Sequence, residues 1–219
     1  MLKAASTMSL TSMDVSFLPR LDPLSKFYPE RLAAFNAKAN EYEKIFDWIS
    51  DRFDEEITSQ LVTTELGDGN KTLRVLGIGS GDGIVEVKML KQLKEKFPLI
   101  ECIVVEPGIE HIARYKELVD EQKDALKGVT FDWRQETIQE FCKANADASK
   151  KFHFVSAIHS CYYIARQDLD FYLKAIYGWT KGKILIMIGP GKTGAFADLK
   201  ENYLDRHIHP KDLLTRAAF

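Results

Sequence analysis

A run of alternating glycines between an apolar strand and a helix most constrains what this chain can fold into. Residues 74–83 read RVLGIGSGDG, with Gly79, Gly81 and Gly83 at every second position. Glycine lets the backbone turn sharply and approach a ligand closely, and the following helix offers the free N–H groups of its first turn. A dinucleotide fingerprint, GxGxxG, needs its third glycine at position 84, which is Ile84 here. We expect a ligand-binding turn, with a ligand-free glycine turn as the alternative.

The sequence around this turn alternates short apolar segments with longer amphipathic ones. The pattern predicts strands at 73–78, 101–106, 129–133, 152–158 and 183–188, and helices at 84–97, 109–126, 137–144 and 167–177. Nearly continuous apolar strands that alternate with helices predict an α/β fold, in which helices cover both faces of a mainly parallel sheet. Residues 26–62 instead repeat apolar side chains at three- and four-residue steps, which predicts helices.

Composition limits the class of protein. The 219 residues suit one domain, and 45% hydrophobic with 28% charged residues is ordinary for a globular chain. A net charge of −2 lacks the basic excess that nucleic-acid binding needs, and no apolar run is long enough to span a membrane. Cys102, Cys142 and Cys161 are widely spaced and odd in number, which predicts reduced thiols. We expect a cytoplasmic monomer with a flexible leader at residues 1–25.

A second signal stands at the end of the next strand. Residues 103–107 read IVVEP, so Glu106 falls where the second predicted strand ends. A carboxylate there can accept hydrogen bonds from two ribose hydroxyls, because ligands of such sheets lie across the carboxyl ends of the strands. A glutamate that merely faces water is the alternative. No Lys-Ser/Thr pair follows the glycines, which argues against a nucleoside triphosphate.

These segments resemble the histamine N-methyltransferase family, within the class I S-adenosylmethionine-dependent methyltransferases. The resemblance is carried by VLGIGSGDG at 75–83, VVEP at 104–107, IARYKEL at 112–118, FDWRQET at 131–137 and the pair Tyr162-Tyr163. It implies a Rossmann-like fold with an N-terminal helical substrate cap at 26–66 and an S-adenosylmethionine-binding domain at 71–219. It also implies methyl transfer from that cofactor to a nitrogen of a small imidazole-type amine such as histamine.

The resemblance also concerns the end of the chain. After the fifth strand this superfamily adds a helix and an antiparallel pair of strands, whereas residues 189–219 leave room for about one helix and a tail. We therefore expect the C-terminal antiparallel strands to be missing. We also expect the chain to end within a helix around Arg216, leaving the sheet edge beside the fifth strand uncovered.

The resemblance implies a set of residues on the cofactor side. They are Gly79, Gly81, Gly83, Glu106, His111, Ile138 and Ile158. In this assignment the methionine part of the cofactor lies near Gly79 and its ribose on Glu106. His111 replaces a glutamine of the family that approaches the cofactor. Ile138 and Ile158 match positions beside the adenine and the methionine end.

The substrate residues that the resemblance implies are Tyr28, Glu41, His159, Tyr162 and Tyr163. The carboxylate of Glu41 suits a cationic amine, and aromatic faces add cation–π attraction. His159 stands where the family has an amide that contacts the imidazole of histamine. The plain alternatives are an exposed helix glutamate, packing tyrosines and a half-buried histidine with ordinary partners.

Several other interpretations compete with this one. A non-catalytic S-adenosylmethionine-binding or regulatory protein would keep the same fold, and a nicotinamide-dependent oxidoreductase is disfavoured by Ile84. His207 and His209 with Asp205 are too sparse a group to predict a metal. Methyl transfer needs no covalent intermediate, so we assign no catalytic nucleophile, and nothing in the sequence marks Cys161 as activated.

Overall fold

The computed structural model describes residues 41–62, 72–145, 152–164, 166–188 and 213–217. The predicted leader at residues 1–25 and the first part of the predicted helical cap lie outside the described residues. Among the helices that are described, none combines the length and the apolarity needed to cross a membrane.

Helices and strands alternate along most of the described chain. The helices are α1 (Glu41–Phe53), α2 (Ser59–Val62), α3 (Ile84–Lys96), α4 (Ile109–Glu121), α5 (Ile138–Ala144) and α6 (Arg166–Trp179). The strands are β1 (Leu73–Ile78), β2 (Ile100–Val105), β3 (Val129–Arg134), β4 (Phe152–Ile158), β5 (Thr180–Ile188) and β6 (Leu213–Ala217). A π-helical turn (Asp54–Thr58) joins α1 to α2, and a 3-10 turn (Cys161–Tyr163) follows β4.

The strands form one sheet in the order β3-β2-β1-β4-β5-β6, and every pairing is parallel. This order confirms the predicted Rossmann-like α/β fold. The chain moves outward from β1 to β3 and then crosses back to place β4 on the other side of β1. Ligands of open parallel sheets bind outside the carboxyl ends of the strands at such a reversal. We therefore expect the ligand site of this fold at the loops that follow β1 and β4.

The predicted elements agree closely with the observed ones, and β1 and β4 have the predicted bounds. The largest difference among the helices is α4, which ends at Glu121 although the apolar pattern continues to Leu126. The backbone N–H of Gln122 already bonds to carbonyls of the last helical turn, and residues 122–128 then turn back toward the sheet. Gly128 completes this reversal with a φ of 91°, where an added Cβ would collide with the carbonyl oxygen of Pro98.

The end of the chain differs from the prediction. Residues 213–217, which include Arg216, form a strand rather than a helix, and that strand pairs in parallel with β5 from Ile184 to Ile188. The expectation of an uncovered edge beside β5 is therefore also wrong. A bare edge leaves a row of backbone N–H and C=O groups without partners, and a further strand provides them. The local sequence shows no such long-range pairing.

The N-terminal helical segment packs on one face of the sheet. Phe53, at the end of α1, is fully buried, and its ring meets that of Phe154 of β4 edge-on, with centroids 5.7 Å apart. Ile49, Ile57 and Leu61 are also fully buried beside it. The helical prediction is confirmed for the described residues of this segment. Helices α5 and α6 cover the opposite face through a second core that contains Phe141 and Trp179.

This packing predicts a large difference between two phenylalanines. We expect Phe53→Ala to lower the free energy of unfolding by about 3–5 kcal/mol, because it removes a fully buried ring from the junction of α1 and the sheet. Phe171→Ala is the matched control, and since that ring is 56% exposed the change should stay within about 0.5 kcal/mol. Urea unfolding followed by circular dichroism measures both, and equal losses would contradict the packing of α1 on the sheet.

Candidate functional site

Four loops meet at the carboxyl edge of the sheet. They are residues 79–83 after β1, 106–108 after β2, 135–137 after β3 and 159–160 after β4. Backbone hydrogen bonds continue past the strand ends: the N–H of Gly79 donates to the carbonyl of Val105 at 2.8 Å, and the N–H of Glu106 to that of Arg134 at 3.0 Å. The first residues of the loops after β1 and β2 are thus held by the neighbouring strands.

The glycine loop adopts the conformation that its sequence predicts. Gly79, Gly81 and Gly83 have φ values of 61°, 57° and 76°, which side chains rarely allow. An added Cβ on Gly79 would lie 2.5 Å from Cβ of Ser160, and one on Gly83 would enter the ring of Tyr115. At Gly81 the nearest atom would be Nδ1 of His111, at 3.9 Å. The loop is therefore tightly packed at both ends and open at its centre, which leaves room for a ligand at Gly81.

The carboxylate of Glu106 is fixed beside this opening. Its Oε2 accepts a hydrogen bond from the N–H of Gly81 and its Oε1 one from the N–H of Gly108, both at 2.9 Å. The residue is only 6% exposed, so the alternative of a glutamate that simply faces water is wrong. A carboxylate offers about four acceptor positions, and two backbone donors leave capacity for two hydroxyls.

His111 completes this part of the edge. It lies in the first turn of α4 and is buried. An added Cβ on Gly108 would stand 2.9 Å from Cδ2 of His111 and 3.0 Å from Oε1 of Glu106, so the missing side chain makes space for both groups. The structure thus brings together Gly81, Glu106 and His111, three of the residues predicted to bind the cofactor.

The two predicted isoleucines also lie at this edge. Ile138 is the first residue of α5, and Ile158 is the last residue of β4. A capping box holds the start of α5: the N–H of Thr137 donates to the Glu140 carboxylate at 2.8 Å, and the N–H of Glu140 donates to the Thr137 hydroxyl at 3.3 Å. The bonds from Thr137 lower the pKa of Glu140. Ile138 is buried and Ile158 half-buried, and their contacts with a ligand stay predictions.

His159 has an unusual backbone conformation directly after β4. Its φ is 54°, and in the described part of the chain it is the only residue besides glycine with a positive φ. Such a conformation costs of order 1–3 kcal/mol and persists only where the surrounding structure imposes it. Histidine, asparagine and aspartate tolerate it better than other side chains do. Strain of this kind often accompanies function, and here it occurs beside the glycine loop.

The remaining predicted substrate residues are less fully described. Tyr28 lies outside the described residues, and so do His207, His209 and Asp205. Glu41 is the first residue of α1 and Tyr162 lies in the 3-10 turn, but the side chains of both lie outside what the structure describes. Tyr163 is 46% exposed. Within the described ranges, no group of three or more His, Cys, Asp or Glu side chains is arranged to hold a metal ion.

Sequence reasoning missed one buried group below the glycine loop. Glu86 is 4% exposed on the inner face of α3, and burial raises its pKa. A carboxylate that interrupts the apolar stripe of Val87, Leu90 and Leu93 was the available signal. Cys161 is buried as well, and burial raises the pKa of its thiol to about 12, which favours the protonated thiol at neutral pH.

Comparison with known proteins finds sequence relatives of this chain. No family model matches the chain. Carnosine N-methyltransferase 2 of Gallus gallus is 32% identical over 84% of this chain and 55% of its own length. Histamine N-methyltransferase A of Xenopus laevis is 30% identical over 82% of this chain and 60% of its own length. The chain therefore spans between half and two thirds of the length of these relatives.

A solved structure of an S-adenosylmethionine-dependent methyltransferase from Agrobacterium tumefaciens has a TM-score of 0.47 and 12% identity, and the match covers 71% of this chain and 46% of that one. The sequence relatives are more informative, because their identity to this chain is higher and covers more of it. The chain is thus a homologue of the histamine and carnosine N-methyltransferases, aligned with them at about 30% identity over most of its own length.

Proposed function

We propose that this chain binds S-adenosylmethionine at the carboxyl edge of β1 and β2 and transfers its methyl group to a nitrogen of a small imidazole-bearing amine. The observation that carries the proposal is the buried Glu106 carboxylate, held by the N–H groups of Gly81 and Gly108 beside the open centre of the glycine loop. The homology to two N-methyltransferases supports the same class of reaction.

The residues of this edge fit such a cofactor. Glu106 would accept the two ribose hydroxyls, since its backbone donors leave acceptor positions on both oxygens. Because Gly81 has no side chain, the ligand can approach the backbone closely there, and His111 would border the same space. Gly79 and Ile158 would flank the methionine end and Ile138 the adenine. When bound, S-adenosylmethionine supplies a methyl group already activated as a sulfonium.

The protein's own contribution is alignment and exclusion of water. The loops that follow β1, β2 and β4 are held by backbone hydrogen bonds and by packing, so they can present two reactants in a fixed orientation. Such orientation supplies up to about 7–11 kcal/mol of a reaction barrier. The site needs no covalent nucleophile, which agrees with a Cys161 thiol that stays protonated.

The acceptor is proposed from the residues that follow β4 and from the N-terminal segment. Histamine and carnosine, the compounds in the names of the two relatives, both carry an imidazole ring. His159 would hold the neutral ring of the acceptor, and its imposed backbone conformation supports a functional role. Glu41 would hold the ammonium group, with Tyr28, Tyr162 and Tyr163 as aromatic neighbours. In this proposal residues 26–66 form the substrate cap over the domain at 71–219.

The first test concerns the cofactor. We expect Glu106→Gln to weaken S-adenosylmethionine binding by about 10- to 100-fold, because a hydrogen bond to a charged group contributes about 1.5–3 kcal/mol. Isothermal titration calorimetry measures the dissociation constant. Glu101→Gln is the matched control, since Glu101 is exposed on the same strand, away from the loop. Unchanged binding in the Glu106 variant would contradict the ribose role, and an unmodified chain that binds no S-adenosylmethionine would overturn the whole proposal.

The second test concerns the acceptor and His159. Mass spectrometry of histamine and of carnosine incubated with the chain and S-adenosylmethionine shows which amine gains a methyl group. We expect His159→Ala and His159→Gly both to raise the KM for that amine by about tenfold, through loss of one hydrogen bond, and to leave the cofactor dissociation constant unchanged.

The same two variants separate the effect of the imidazole ring from the effect of the backbone conformation at His159. Glycine accepts a positive φ without penalty, so His159→Gly should be more stable than His159→Ala by about 1 kcal/mol in urea unfolding. Equal stabilities would contradict the left-handed conformation. An equal loss of cofactor and amine binding would contradict a role confined to the acceptor.

A further inference from the structure

A buried carboxyl group lies beneath the glycine loop and outside the proposed ligand contacts. Glu86 extends from the first turn of α3 into the space between β1, β4 and α4. Its Oε1 accepts a hydrogen bond from the Ser156 hydroxyl at 2.9 Å, and its Oε2 accepts one from the Tyr115 hydroxyl at 3.2 Å. The hydroxyl of Ser80, in the glycine loop, lies near this carboxyl but makes no hydrogen bond to it. One side chain thus connects α3, α4 and β4, and it reaches the loop through the Tyr115 ring, which packs against Gly83.

Gly77 leaves the room that this carboxyl occupies. An ideal Cβ on Gly77 would lie 2.0 Å from Oε1 of Glu86, so the carboxyl fills the place where a strand side chain would begin. Gly77 pairs with Ser156 in the parallel register of β1 and β4, which puts the carboxyl over that pair. Gly77 lies within a regular strand and, unlike Gly79, has no positive φ. Space, and not backbone conformation, is therefore the reason for glycine at this position.

The cost of burying this carboxyl indicates that it does more than fill the core. Desolvation raises the pKa of Glu86, and the negative charge of Glu106 raises it further, while the hydroxyls of Ser80, Ser156 and Tyr115 act in the opposite direction. An apolar residue at position 86 would avoid the desolvation penalty. Hydrogen bonds from Ser156 and Tyr115 to this carboxyl instead fix the relative positions of α3, β4 and α4.

The partners of this carboxyl belong to segments that shape the candidate site. Ser156 lies in β4 shortly before His159. Tyr115 packs where a Cβ of Gly83 would be, so its ring and hydroxyl contact the end of the loop and Glu86 together. The titratable groups around the carboxyl are Tyr115, Cys102 and Glu106.

We propose that Glu86 is a positioning residue of the S-adenosylmethionine site: its carboxyl holds the Gly79–Gly83 loop in register with the end of β4 and so sets the affinity for the cofactor. This inference rests on the proposed function. Glu86 touches no ligand in this scheme. It acts through Tyr115, which donates to Glu86 and packs against Gly83, on the loop whose central N–H, that of Gly81, also holds the Glu106 carboxylate.

The geometry at Gly77 allows a test by moving the carboxyl from the helix to the strand. Glu86→Ala removes the group, and Gly77→Asp supplies a carboxyl from β1 into the same space. We expect Glu86→Ala to weaken S-adenosylmethionine binding by about tenfold, and Gly77→Asp with Glu86→Ala to restore it to within about threefold of the unmodified chain. Gly77→Asp alone should bind weakly, because two carboxyls then compete for one space. Glu95→Ala, at an exposed position of the same helix, should leave binding unchanged.

Measuring both the dissociation constant and the melting temperature separates a positioning role of Glu86 from a contribution to stability alone. Dissociation constants are measured by calorimetry at a temperature where thermal unfolding shows every variant to be folded. If Glu86→Ala does not fold, Glu86→Gln, which keeps the shape but replaces an acceptor oxygen with a donor NH₂, is compared directly with the unmodified chain, and the rescue arm uses Gly77→Asp with Glu86→Ser, whose short side chain leaves the space free. A lower melting temperature with an unchanged dissociation constant would overturn the positioning role, and so would failure of the double variant to recover binding. An unmodified chain that binds no S-adenosylmethionine would overturn the proposed function itself, and the positioning role with it.

Discussion

Parallel pairing of β1 on both of its edges is the constraint on which the rest of the structure depends. Because β2 and β4 both pair with β1, the chain must cross the sheet in opposite directions from this strand, and the loops after all three strands end at one edge. The glycine loop, Glu106 and His159 are neighbours for this reason, although they lie far apart in sequence. No single loop builds the site, since each contributes one or two groups and the register of the sheet aligns them.

Two carboxyl groups flank the glycine loop and serve it differently. Glu106 lies at the edge, where backbone N–H groups hold it while acceptor positions remain on its oxygens. Glu86 lies beneath the loop, where the hydroxyls of Tyr115 and Ser156 donate to its two oxygens. A loop of glycines gains close approach to a ligand but loses the side chains that would otherwise hold it in place. The two carboxyls supply that missing support from outside the loop.

The sequence predicts the parts of this arrangement that depend on local pattern. Apolar runs bounded by turn residues predict β1 and β4 with the observed bounds, and the position of Glu106 after an apolar strand predicts its place at the edge. The other features depend on contacts between distant segments. The strand at 213–217 forms because β5 has an edge to pair, and Glu86 is buried because Gly77 leaves space on the neighbouring strand. The positive φ of His159 likewise follows from the turn that its surroundings impose.

The backbone at His159 has a consequence for how this site can change over evolution. A positive φ is tolerated mainly by glycine, asparagine, aspartate and histidine, and all of these except glycine carry hydrogen-bonding side chains. A point mutation to a bulky apolar residue would pay a conformational penalty before it altered any ligand contact. The main chain thus restricts this position to glycine or to a few polar side chains, whichever ligand the site binds.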